Sequence, residues 1–215
     1  MLKVGLTGGI AAGKSVVGEM FSKLGAQVIQ ADEISRQLMH PGEAVYDEVV
    51  RHFGVGILNP DGTVNRARLA ESAFGNFATA GAEKKPSRVH ELNQIVHPAV
   101  IQRQQQWMEQ VAERDPGSVA IVEAALILEA GISKNLERII VVTCRPEQRV
   151  ERLARRLNLD EKTARNEVTR RMAAQLPDEE KIKAADYVID NSGSLEATER
   201  QVADIYSKLK KEAGP

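Results

Sequence analysis

Residues 8–15 read GGIAAGKS, which satisfies GxxxxGK[ST], the spacing of a loop that wraps phosphate. The chemistry follows from the residue types. Glycines let backbone N–H groups curl around phosphate oxygens, and a helix starting behind them aims the positive end of its dipole at the same charge. Lys14 is placed to reach the β- and γ-phosphates of a nucleoside triphosphate, and Ser15 offers a hydroxyl to Mg²⁺. Gly8, Gly9, Ile10, Ala11, Ala12, Gly13, Lys14, Ser15 and Val16 are therefore the candidate nucleotide-binding residues, with Ser15 the candidate metal ligand. A chance match in a chain this long has odds of about one in a hundred. A glycine-rich turn with an exposed lysine is the bland alternative, and an apolar run before the motif and helical spacing after it weigh against it.

Two carboxylates and a set of arginines complete the chemistry. Asp32 is expected at the carboxyl end of the second strand, where ligands collect in open parallel sheets. There it would orient an acceptor hydroxyl or take its proton; the alternative is that it only caps the next helix. Glu123 ends a later apolar run, and it is read either as positioning metal or acceptor or as a partly buried ion-pair partner. Arg149, Arg152 and Arg156 recur at i, i+3 and i+7, a stripe suited to closing over phosphates. Glu147 and Glu151 interleave with them, so a solvated helix laced with ion pairs is the default for most of these arginines. His97 stands before Pro98 without a Cys or His cluster that would suggest zinc. Trp107 and Met108 are most simply core or helix-contact residues, with an apolar wall for a substrate as the alternative.

The elements that must position these groups follow from the apolar pattern. LKVGLT reads as a strand, and Val17, Met20, Phe21 and Leu24 as one helical face. AQVIQAD reads as a second buried strand, followed by a helix through Ile34 and Leu38 that stops near Pro41. Residues 33–115 are mostly helical, with turn signals at 40–42, 59–62 and around Pro86, and no convincing strand. SVAIVEAALILE and LERIIVVTC return to the continuous apolar runs of central parallel strands. The stretch 145–183 is polar and helical, with eight Arg and three Lys against eight carboxylates, and looks like a mobile basic flap. ADYVIDN is a last strand, and Leu195, Val202, Ile205 and Leu209 mark a closing amphipathic helix. The expected class is α/β: a three-layer P-loop NTPase-type parallel sheet with a helical insertion and a helical lid.

Composition bounds the rest. At 215 residues, 42% hydrophobic and 27% charged, with no run near 18 apolar residues, the chain reads as soluble and globular rather than fibrous, disordered or membrane-spanning. With 29 Lys and Arg against 30 Asp and Glu, the net charge of -1 gives no global field for nucleic acid. A single cysteine, Cys144, and an N-terminus without a signal-peptide pattern point to the cytoplasm.

The loop alone leaves kinases, GTPases, motor ATPases and passive switches open. No guanine-reading NKxD and no aliphatic run ending in Asp-Glu is present, which favours a small-molecule kinase. A nucleoside or nucleoside monophosphate kinase and a non-catalytic switch remain the competing readings.

Over nearly its whole length the chain resembles the dephospho-coenzyme A kinase family. The resemblance rests on GLTGGIAAGKS, VIQAD, FGVGILNPDGTVNRARLAESAF, LNQIVHP, EAALILEAG, the basic flap and ADYVIDN. It implies ATP, with Mg²⁺ as the metal, and transfer of the γ-phosphoryl group to the ribose 3′-hydroxyl of dephospho-CoA. The expected partners are small molecules, without nucleic acid or membrane, and the expected state is a monomer or weak homo-oligomer. The resemblance implies three catalytic residues: Asp32 acting on the 3′-hydroxyl, Lys14 holding phosphates and Arg152 contacting the reacting groups. Arg149 and Arg156 are further nucleotide-side candidates, and Thr7, Asp32, Arg36, His97, Glu123 and Leu126 are substrate-side candidates. The implied domains are a nucleotide-binding core (1–32, 115–144 and 184–215), a helical coenzyme-A-binding domain (33–114) and a lid (145–183). The chain departs from the family pattern at several positions. Glu123 replaces the usual aspartate, Ala125 a proline and Leu128 a phenylalanine, while Glu129 is kept. Gln30 replaces the first carboxylate of a DAD triplet, Arg149 stands where a glutamine is usual, and 75–88 looks like a longer surface loop.

Overall fold

The structure, a computed structural model, describes residues 1–74 and 87–214. The turn expected around Pro86 lies outside the described residues, as does the loop expected over 75–88 as far as residue 86. Among the described residues, β1 (Leu2–Gly8), β2 (Gln27–Gln30), β3 (Val119–Glu123), β4 (Arg138–Thr143) and β5 (Tyr187–Asp190) form one parallel sheet in the order β2-β3-β1-β4-β5. After β1 the chain turns toward β2, and after β3 it crosses to β4 on the other side of β1. The carboxyl end of β1 thus lies at a topological switch point.

The order explains the strand compositions. Every residue of β3 and four of the six in β4 are buried, so these strands are continuous apolar runs with a neighbour on both sides. β2 is an edge strand with exposed Gln27 and Gln30, not the buried strand expected from its sequence. It also ends at Gln30. Asp32 therefore falls in the first turn of the following helix rather than at the strand end. The run after Glu123 likewise leaves the sheet, and 124–131 is a turn segment.

The chain divides into two compact units, Met1–Gln30 with Trp107–Pro215 and Ala31–Gln106. In the first unit, α1 (Lys14–Lys23) lays Val17, Met20 and Phe21 on the sheet, and α9 (Leu195–Ala213) buries Val202, Ile205 and Leu209 in the same core. Burial of Phe21 alone contributes roughly 1.5–3 kcal/mol. Two positions expected on these apolar faces are exposed instead, because each sits at a helix end beyond the packed stripe: Leu24 caps α1 and Leu195 opens α9. Three more helices of this unit follow β4: α6 (Pro146–Leu157), α7 (Glu161–Ala173) and α8 (Asp178–Lys183). Val150 and Leu153 of α6 pack on Ala164 and Val168 of α7, and Ile10 and Ala11 of the glycine-rich loop lie against this cluster.

The second unit is built from α2 (Ala31–Leu38), α3 (Ala44–Phe53), α4 (Arg66–Phe74) and the first part of α5 (Val89–Arg114), which carries Pro98 in its interior. Ile34, Leu38, Val45, Val49 and Ile57 are buried. The turn expected at 59–62 forms, with the Thr63 amide donating to Asp61 Oδ1 at 3.0 Å, and it brings Leu58 and Val64 into an isolated antiparallel bridge. Met108 of α5, in the first unit, is buried as expected of a core residue. Among the described residues, no helix is long and apolar enough to cross a membrane.

Candidate functional site

β1 runs into the loop at Gly8, and α1 begins at Lys14. Two glycines here meet a requirement no other residue fills. Gly8 has φ +151° and Gly13 has φ +99°, and a Cβ would overlap the Val142 carbonyl oxygen at the first and the Asn191 carboxamide at the second. Ala11 also holds a positive φ, 54°, a conformation costly for a residue with a side chain. The first amides of α1 have no carbonyl one turn earlier to accept them, so the helix start is a natural anion site.

The loop's carbonyls are held by side chains from α6 and from the end of β5. Arg149 donates to Ile10 O at 3.2 Å, and Arg152 donates to Ala12 O at 3.2 Å, to Ala11 O at 3.4 Å and to Asn191 O at 2.8 Å. Asn191 Nδ2 donates to Ala12 O at 2.9 Å, and its Oδ1 accepts from Thr198 of α9 at 3.0 Å. Cys144 adds a weak thiol contact to Ala11 O at 3.8 Å. Burial pushes that thiol above its ordinary value and outweighs the opposite pull of Arg149 and Arg152, so it is a packed thiol rather than a nucleophile. A trans peptide points its carbonyl and the next residue's N–H in opposite directions. Fixing the Ile10 and Ala12 carbonyls toward these donors therefore turns the Ala11 and Gly13 amides away from them.

Ser15 Oγ donates to Glu123 Oε1 at 2.8 Å, which joins the start of α1 to the end of β3. Glu123 is 7% exposed, so a hydroxyl and a sheltered carboxylate stand together. Both are hard oxygen donors of the kind Mg²⁺ takes, one or two from protein and the rest from phosphate and water. Lys14 lies back over the loop, donating to Gly8 O at 3.0 Å and Gly9 O at 3.4 Å. Thr7 is fully buried and donates to Ala125 O at 3.3 Å.

The structure thus brings together Thr7, the loop residues 8–16, Glu123, Arg149 and Arg152. Leu126 is 40% exposed on the segment after β3, and Arg156 is exposed further along α6. Arg149 is 1% exposed, so the expected stripe of three arginines divides into two turned to the loop and one turned to solvent. Three candidates belong to the second unit. Asp32 is exposed in the first turn of α2, Arg36 pairs with Glu33 at 2.9 Å one turn on, and His97 is exposed on α5.

Sequence reasoning passed over Asn191, Asp178 and Lys181. Asn191 carries a signal that would have found it, because it directly follows β5 and so stands at the sheet edge that holds the loop. Asp178 ion-pairs with the buried Arg149, and fully buried Lys181 pairs with Glu129 at 3.0 Å. Neither carries a local signal, since both sit in a short, charge-rich helix. Burial works to raise the Glu129 carboxyl, but hydrogen bonds from its own amide, from Lys181 and from the Leu176 amide prevail and hold it below the ordinary range.

A family model described as CoaE, dephospho-CoA kinase, matches residues 2–197. The dephospho-CoA kinase of Syntrophotalea carbinolica is 38% identical over 209 residues, which cover 97% of this chain and 92% of that protein. The dephospho-CoA kinase of Aquifex aeolicus is also 38% identical over 209 residues, 97% of this chain and 98% of that protein. Among solved structures, that of TT1252 from Thermus thermophilus superposes with a TM-score of 0.75 at 29% identity, over 97% of each chain.

Proposed function

We propose a reaction on one premise: this chain belongs to the dephospho-CoA kinase family. It is an ATP-dependent kinase that transfers the γ-phosphoryl group of ATP to the 3′-hydroxyl of dephospho-CoA, giving coenzyme A and ADP, the last step of coenzyme A biosynthesis. The observation that carries this reading is the loop of residues 8–15 at the carboxyl end of β1, its carbonyls tied behind by Arg149, Arg152 and Asn191. Phosphoryl transfer asks mainly for positioning and charge stabilisation, and such a loop provides both.

Each residue then has a task. Loop amides and the start of α1 bind the β- and γ-phosphates, with Lys14 adding a positive charge beside them. Ser15 and Glu123 would hold Mg²⁺. Bound there, Mg²⁺ would supply positive charge to offset that of the phosphates. Arg152 would contact the reacting phosphoryl group, a reading supported by its place beside Ala11 and Ala12. Asp32 would orient the 3′-hydroxyl and accept its proton, supported by its place two residues beyond β2, a strand of the loop's own sheet.

The helical unit Ala31–Gln106 would bind the coenzyme A portion, with Arg36 and His97 among its contacts; Thr7 and Leu126 are the acceptor-side candidates of the first unit. Residues 145–183 would act as the lid, excluding water so that ATP is not hydrolysed. The substrates are small molecules and the protein a monomer or weak homo-oligomer; the net charge of -1 supports the absence of nucleic acid, and the single cysteine supports the cytoplasm.

Incubating the protein with Mg²⁺, ATP and dephospho-CoA should yield the mass of coenzyme A. Asp32→Asn should abolish nearly all turnover while leaving ATP affinity unchanged, because the loop that binds ATP is untouched. Turnover near wild type in that variant at saturating substrates removes the role given to Asp32, and ATP binding without coenzyme A formation removes the reaction.

A further inference from the structure

Two cations of the first unit are buried. Arg149 has the largest fully buried side chain among the described residues, at 1% exposure, and Lys181 is at 0%. Burying a charge is costly unless it is paired, and well-packed apolar residues would often serve stability as well or better. Retaining both therefore points to placement rather than to stability.

Their partners lie on a single short element. Asp178 opens α8 and binds the Arg149 guanidinium; Lys181, one turn later, donates to Glu129 Oε1 at 3.0 Å and lies 3.5 Å from Ala125 O and from Gln175 Oε1. Glu129 also accepts the Leu176 amide at 2.9 Å, and Ala125 O accepts from Thr7 at the end of β1. α8 is thus anchored through Lys181 to the segment that follows β3, and through Asp178 it fixes Arg149 against the phosphate loop. The fit at that end is close, since a Cβ on Gly9 would overlap the guanidinium. Arg149 has one edge on Ile10 O and another on Asp178, and solvent does not reach it. The carboxylate balances its charge, so what it supplies is geometry.

We propose that Arg149 is a positioning residue for the phosphates of ATP. It acts through the Ile10 carbonyl, and so through the Ala11 amide, with α8 as the strut that holds it, rather than through its own contact with nucleotide. This rests on the reading of residues 8–15 as the ATP loop, not on the identity of the acceptor.

The test is a double-mutant cycle of Arg149→Gln and Asp178→Asn, read by calorimetric Kd for ATP, which needs no acceptor, and by both KM values and kcat. Each single variant should weaken ATP binding about tenfold, the loss of one charge-assisted hydrogen bond. The double variant should be no worse than either, and KM for dephospho-CoA should stay near wild type. Asp178→Asn binding ATP like wild type while Arg149→Gln loses affinity overturns the proposal, because Arg149 would then be touching nucleotide itself. Additive losses in the double variant, or equal rises in both KM values, also overturn it. Should the single variants not hold a folded core by circular dichroism, Asp178→Glu keeps both charges and shifts the guanidinium by about a methylene: weakened ATP binding with KM for dephospho-CoA unchanged supports the strut, and wild-type affinity overturns it. A wild-type protein that binds ATP but forms no coenzyme A removes the proposed reaction and leaves this cycle readable.

Discussion

Arg149 and Arg152 leave α6 for the carbonyls of Ile10, Ala11 and Ala12, whereas Arg165, Arg170 and Arg171 of the adjoining α7 reach glutamates three or four residues away on their own helix. The two helices share one apolar cluster, and both are rich in arginine. What separates them is the neighbour beyond the cluster. The α6 arginines flank buried Val150 and Leu153 and meet a loop with carbonyls to satisfy, while the side chains of Arg165, Arg170 and Arg171 are 43–59% exposed. A donor in the first setting determines where the backbone of the loop points; in the second it contributes a few tenths of a kcal/mol to helix stability.

The sharpest break in this contrast comes from alanine at Arg152 set against alanine at Arg165. Arg152→Ala should lower kcat/KM by about a hundredfold or more, as expected when a preorganised donor at a transferring group is lost. Arg165→Ala should match wild type in the same steady-state assay. Equal losses would mean that the two helices do not differ in function.

A smaller effect is expected where the loop meets its support from β5. Gly13→Ala forces a side chain into φ +99° and onto Asn191, which must then give up Ala12 O or Thr198. The expected cost is about 2 kcal/mol in urea unfolding, the usual range for backbone strain of this kind. An unchanged midpoint would show that the Asn191 contact is slack.

The smallest effect belongs to α7. Hydrogen bonding to Arg170, helped by Arg171 and opposed by partial burial, holds the Glu167 carboxyl down at about 2. Because this value is depressed, the stability it contributes is fully present above the ordinary carboxyl range near 4.3 and is lost as pH falls through about 2. Solvent screens the two half-exposed guanidiniums, so wild type should exceed Glu167→Gln by less than about 1 kcal/mol at pH 6. Denaturant melts should show that margin steady down to about pH 5 and gone near pH 2. A margin that grows in acid would reverse the assigned cause.

Much of this molecule was legible along the chain. GGIAAGKS announced its own conformation, because glycine at positions 8 and 13 and a following Lys-Ser are local requirements of a loop around phosphate. The runs VAIVE and RIIVVT read as central strands because parallel strands covered on both faces leave no polar alternation. QVIQ misled, since its apolar pair resembles a central strand while only the sheet order shows that it has a single neighbour. Asp32 was placed one element too early for the same reason: the end of an edge strand is set by how far its partner extends, and Gln30 meets Glu123, the last residue of β3.

The sequence by itself determined the phosphate loop, the strands that carry it and the kinase family, because these depend on residues close together in the chain or on motifs in order. Tertiary structure alone decided that Arg149 is sealed against Ile10 by Asp178, that Lys181 is buried on Glu129, and that Asn191 and Thr198 support the loop from β5 and α9. These contacts join residues from 7 to 179 positions apart, and what makes them worth forming is shared burial, which no local spacing records.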